Sequence, residues 1–105
     1  LLRIPKNIVS LFPGRIINIH PSLLPKFGGR GMYGENVQKA VIDAKEKFSG
    51  ITIHYVNSNY DDGNIIFQKM FSLKKNETSE GLSEKTHVLE MKYFPFIVEK
   101  IINSL

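Results

Sequence analysis

Two β-branched runs, RIINIH (Arg15 to His20) and ITIHYV (Ile51 to Val56), flank a stretch with helical periodicity. In that stretch, Glu35 to Phe48, the residues Val37, Ala40, Val41, Ala44 and Phe48 fall on one apolar stripe, and Gln38, Lys39, Asp43 and Lys47 take the wet side. This strand–helix–strand order constrains the fold more than any other feature, because such a connection between neighbouring strands implies a right-handed parallel crossover. Ile16 and Ile17 are adjacent, so both faces of the first strand start apolar, which suits a buried parallel strand. The turn-rich NSNYDDGN then leads into IIFQKMF (Ile65 to Phe71), and a connection this short implies an antiparallel hairpin. The expected fold class is α/β: a mixed, mostly parallel sheet with flanking helices.

The remaining segments fit around that frame. Pro5 opens a short helix with Ile8, Val9 and Phe12 on its apolar face, ending at Pro13-Gly14. Ser22 to Tyr33, punctuated by Pro25, Gly28, Gly29 and Gly31, reads as a loop, and Gly50 reads as the stop of the helix before it. From about Ser79 the chain is helical, with Leu82, Thr86, Leu89 and Tyr93 on one stripe. Pro95 is expected to kink or break that helix before a last apolar turn of Ile97, Ile101 and Ile102. The 105 residues make one domain or part of one, and the opening LLRIP starts in mid-pattern, as a cut through a larger α/β domain would.

Composition narrows the function classes. There is no apolar run long enough to span a membrane. With no cysteine, disulfides, thiolate metal sites and a cysteine nucleophile are excluded, and a reducing compartment such as the cytoplasm is expected. The net charge of +4 is scattered, with Lys74-Lys75 the one basic pair, so no nucleic-acid partner is expected and an anionic small molecule suits the charge as well.

Asn18 and His20 project from the same face of a strand, about 6.5–7 Å apart along it, immediately before Pro21. Both lie near the carboxyl end, where ligands bind in open α/β sheets. An amide and an imidazole together can hold a carbonyl oxygen as it becomes an oxyanion, and the imidazole can trade protons near neutral pH. As a structural alternative, the same two residues serve as hydrogen-bonding groups at a loop edge. YDDGNII (Tyr60 to Ile66) offers a carboxylate beside a glycine, either as a turn former or as a group held next to the imidazole, and His54 on the preceding strand could bridge to it. His20, His54 and His87 lack metal-ligand spacing, so no metal is expected. Ser22 lacks a nucleophile elbow, and the glycines at 28, 29, 31 and 34 do not follow a strand in the dinucleotide-binding pattern.

NIHPSLLPKFGG (Asn18 to Gly29) and GITIHYVNSNYDDGNIIFQ (Gly50 to Gln68) resemble the two signature motifs of the folate-dependent formyltransferases. The similarity runs from LLRIP through LEMKYFP, and it is nearest to the branch that formylates glycinamide ribonucleotide. The resemblance implies the carboxyl-terminal part of a Rossmann-like formyltransferase domain, working without metal. It would transfer a formyl group from 10-formyltetrahydrofolate to the amine of glycinamide ribonucleotide in purine biosynthesis. Asn18 and protonated His20 match the family's oxyanion-stabilising pair, and Asp61 matches its aspartate, through the pattern Asp-x-Gly-x-Ile-Ile. The folate pocket would involve Leu2, Ile4 and Val9, with Asn18 and the loop Val56, Asn57, Ser58, Asn59, Tyr60 and Asp61. Pro21 and Glu90 would contact the nucleotide, with His54 in support. Met91 stands where the family often has histidine, and the amino-terminal half that holds the ribonucleotide phosphate is expected to be missing, so turnover by this chain alone is expected to be weak. A 10-formyltetrahydrofolate hydrolase, a methionyl-tRNA formyltransferase and a fragment keeping the folate groove without turnover are the alternatives.

Overall fold

A computed structural model describes residues 17–29, 31–55 and 64–104. In chain order these form β1 (Ile17–His20), α1 (Glu35–Asp43), β2 (Phe48–Tyr55), β3 (Ile65–Ser72) and α2 (Ser79–Asn103). The expected short helix from Pro5 and residues 15–16 of the first strand lie outside the described residues.

The sheet has the order β1-β2-β3, and both pairings are antiparallel. The expected hairpin between β2 and β3 is therefore present, whereas the parallel crossover is not, and the mostly parallel sheet is corrected to an antiparallel one among the described strands. The reason lies in where α1 packs. A crossover helix must lie along the sheet and return the chain to the far end of the first strand. Instead Val37 and Val41 of α1 pack on Leu82 near the start of α2, and β2 begins at the end where β1 finishes, with His20 opposite Thr52. Periodicity identifies a helix between two strands but not the surface on which it packs.

Element ends also differ from the pattern. α1 stops at Asp43, with Lys45 at φ 54° in the left-handed conformation that ends many helices and its N–H donating to the Ile42 carbonyl at 3.0 Å. Phe48, placed on the helix stripe by its spacing, therefore belongs to β2 and is 51% exposed. Gly50 is a strand residue, not a stop. A Cβ there would lie 1.9 Å from the Lys69 carbonyl oxygen, so only glycine fits the close approach of β2 and β3. Pro95 sits within α2, which continues to Asn103. The backbone hydrogen bond it forfeits is offset by the packing of Leu89, Tyr93, Phe94, Ile97 and Ile101 on the sheet.

One sheet face is apolar: Ile19, Ile51 and Ile53, with Phe67 beside them, meet that row of α2. The second core, Val37, Val41 and Leu82 with Phe27, Met32 and Phe71 around it, joins α1 to α2. The opposite sheet face is the polar one, and it carries the candidate site.

Candidate active site

Directly opposed residues in an antiparallel pair share a face. Asn18 is opposite His54, His20 is opposite Thr52, and Thr52 is opposite Gln68. The alternation that sends Ile19, Ile51 and Ile53 into the core thus sends Asn18, His20, Thr52, His54 and Gln68 to the other side. His20, Thr52 and His54 are fully buried there, and Asn18 is half-buried.

The loop after β1 folds back over this face, and Thr52 fastens it. The Thr52 hydroxyl donates to the Ser22 carbonyl at 2.7 Å and accepts from the Leu24 N–H at 3.0 Å. Gln68 donates through Nε2 to the Leu24 carbonyl at 3.0 Å and to Thr52 Oγ1 at 2.9 Å. Ser22 Oγ donates to the Lys26 carbonyl at 3.2 Å. The loop then reaches Phe27, which holds the left-handed φ of 58°. That conformation is uncommon for a bulky side chain, and the Phe27 carbonyl accepts from His20 at 2.6 Å. A carbonyl is only an acceptor, so His20 Nε2 carries the proton of this bond. His54 is held similarly, with Nδ1 donating to the Tyr55 carbonyl at 3.0 Å.

α2 brings Glu90 into the same neighbourhood. Burial raises its carboxyl above the usual value near 4.5, and the charges of His87 and His20 pull it partly back. Pro21 is tied to the helices by Gln38, whose Nε2 donates to the Pro21 carbonyl at 3.4 Å and to Thr86 Oγ1 at 3.3 Å. Gln38, assigned by its helical spacing to the wet side, is 2% exposed, because α1 is pressed between the end of β1 and α2. Met91 points to solvent.

The described residues therefore bring Asn18, His20 and His54 onto one sheet face, with Glu90 in reach of the charge of His20 and Pro21 anchored beside it. Asp61 and the expected folate-pocket residues Leu2, Ile4, Val9, Val56, Asn57, Ser58, Asn59 and Tyr60 lie outside the described residues. Among the described residues no three His, Cys, Asp or Glu groups are placed to hold a metal ion, and no helix is long and apolar enough to cross a membrane. Sequence reasoning missed Thr52, Gln68 and the Phe27 carbonyl as the supports of the site. The position of Thr52, two residues before His54 and on its face, was the available signal.

Residues 1–98 match the family model for formyl transferase. The chain belongs to the formyl transferase family. A chloroplastic phosphoribosylglycinamide formyltransferase of Arabidopsis thaliana is 45% identical over 98 residues, covering 93% of this chain and 34% of the relative. The phosphoribosylglycinamide formyltransferase of Bacillus subtilis (strain 168) is 36% identical over 96 residues, covering 91% of this chain and 47% of the relative. The crystal structure of phosphoribosylglycinamide formyltransferase from Anaplasma phagocytophilum superimposes with a TM-score of 0.87 at 34% identity, over 97% of this chain and 48% of that one. The enzyme of the same name from Bacillus halodurans gives 0.83 at 35% identity, over 94% and 48%. This formyl transferase chain thus spans about a third to a half of the length of these relatives.

Proposed function

We propose that this formyl transferase chain carries the catalytic strand end of a phosphoribosylglycinamide formyltransferase. In this proposal 10-formyltetrahydrofolate donates the formyl group and the amine of glycinamide ribonucleotide receives it, in purine biosynthesis in the cytoplasm. The observation that carries the proposal is the placement of Asn18 and His20 on one sheet face, beside Glu90, in a chain whose relatives bear that enzyme name.

The amine nitrogen attacks the formyl carbon, and the carbonyl oxygen gains negative charge. The Asn18 amide and the protonated His20 imidazole donate to that oxygen, which is the largest single contribution such a site can make. The amine proton leaves through water to Asp61. The bond from the formyl carbon to the folate nitrogen then breaks, that same proton passes to the folate nitrogen, and tetrahydrofolate departs leaving the formyl amide. Because the amine itself is the nucleophile, no covalent enzyme intermediate is needed. The proposed folate groove comprises Leu2, Ile4, Val9 and Val56 to Asp61; Pro21 and Glu90 contact the nucleotide, and His54 supports the imidazole side of the site. Phosphate binding is assigned to residues the relatives possess beyond the length of this chain.

The test is formyl transfer to glycinamide ribonucleotide, with cofactor hydrolysis followed in parallel, on this chain and on an amino-terminally extended form. The extended form is expected to be much the more active. Removing either oxyanion donor, by Asn18→Ala or His20→Ala, is expected to lower kcat by about 100- to 1000-fold. Product formation that survives both substitutions unchanged overturns the assigned roles, and hydrolysis without transfer identifies water as the acceptor.

A further inference from the structure

Gln38 is a buried amide whose hydrogen bonds reach both sides of the site. Its Nε2 donates to the Pro21 carbonyl and to Thr86 Oγ1, and the Thr86 hydroxyl spends its own proton on the Ser83 carbonyl at 3.0 Å. Both Gln38 partners therefore require an N–H, which fixes the orientation of the amide. Among the described residues its Oε1 is buried without a hydrogen-bond partner. A buried acceptor left unpaired costs about as much as two ordinary hydrogen bonds return, so the amide adds little net stability. The two bonds here, at 3.4 and 3.3 Å, are longer than the ~2.7–3.2 Å of well-made ones.

What the amide accomplishes is a connection. Pro21 directly follows His20, and Thr86 lies one helical turn before Glu90 on α2. Gln38 is thus the polar link from α1 to both the strand end that carries the imidazole and the helix that carries the carboxyl. We propose that Gln38 is a positioning residue that holds Pro21 and Glu90 at the separation the nucleotide substrate requires. This rests on the assignment of Pro21 and Glu90 to the nucleotide under the proposed function. It adds a residue that touches neither substrate and acts through those two.

The two substrates are assigned to different residues, so the inference predicts a split in kinetics that loss of stability would not produce. In the full natural protein, Gln38→Met is expected to raise KM for glycinamide ribonucleotide by roughly tenfold, while KM for 10-formyltetrahydrofolate and kcat stay within about twofold. Combined with Glu90→Gln, the second substitution is expected to add little further to the nucleotide KM, since both remove one arrangement. A thermal melt of each variant accompanies the kinetics. Gln38→Met leaving both KM values unchanged, or lowering all parameters in step with the melting temperature, overturns the positioning role while the formyl-transfer assignment stands. An unsubstituted protein that melts cooperatively but transfers no formyl group overturns the assignment, and the positioning role with it.

Discussion

At the scale of single residues, the site depends on groups whose protons are already committed. His20 spends one ring N–H on the Phe27 carbonyl, so its orientation is set before any ligand arrives. Glu90 is the site residue whose titration the fold shifts. Its carboxyl is raised, first by burial, against the opposing charges of His87 and His20. The folded state thus binds this proton more tightly than the unfolded chain does. The stabilising contribution is fully present below the ordinary value near 4.5 and is lost as pH rises through the raised one. Glu90→Gln, which cannot ionise, is expected to be more stable than the parent at pH 7, with the advantage disappearing below that ordinary value. Urea denaturation at pH 7 and pH 4 checks this; an equal difference at both would show that Glu90 does not titrate differently on folding.

At the scale of elements, α2 shows how a helix with an internal proline is defined. Its start is fixed chemically: Thr78 Oγ1 accepts from the Gly81 N–H at 3.0 Å, satisfying a donor that the first turn cannot. Just before it, Glu77 is paired with Lys85. The hydrogen bond from Lys85 is the largest of the effects that hold the Glu77 carboxyl below its ordinary value, so the pair supports the fold above that value and weakens as acid protonates it. Thr78→Ala is expected to cost about 1 kcal/mol, measured as a shift of the urea midpoint at unchanged slope. Helix existence at Glu35 and Ser79, and the hairpin joining β2 and β3, were legible from period and turn residues. The end of α1 was not, because the Lys45 left-handed turn carries no glycine to announce it. Nor was the continuity of α2 through Pro95, because the packing that outweighs the proline comes from strands distant in sequence.

At the scale of the whole molecule, α2 is the part both cores share. Its amino-terminal end closes the Val37, Val41 and Leu82 cluster with α1, and its later turns close the Ile19, Ile51, Ile53 and Ile97 cluster with the sheet. Leu82→Ala is expected to cost about 2–5 kcal/mol and to act unequally. Amide hydrogen exchange should show α1 losing protection well before β2; uniform loss would mean that the two clusters unfold as one. An unpacked α1 would also release Gln38 from Thr86, which links this packing to the site.

Local chemistry by itself determined the identity of most elements, the shared face of Asn18 and His20, and the motifs that resemble the formyltransferases, because alternation along a strand and spacing along a helix are properties of the chain within a few residues. The antiparallel direction of β1 against β2, the loop that Thr52 fastens over the polar face, the burial of Gln38 and the approach of Glu90 to His20 were decided only in three dimensions. Each depends on which surface a segment packs against, and that choice is made by partners far away in sequence, from 17 residues for Gln38 and Pro21 to 48 for Gln38 and Thr86, which no local pattern records.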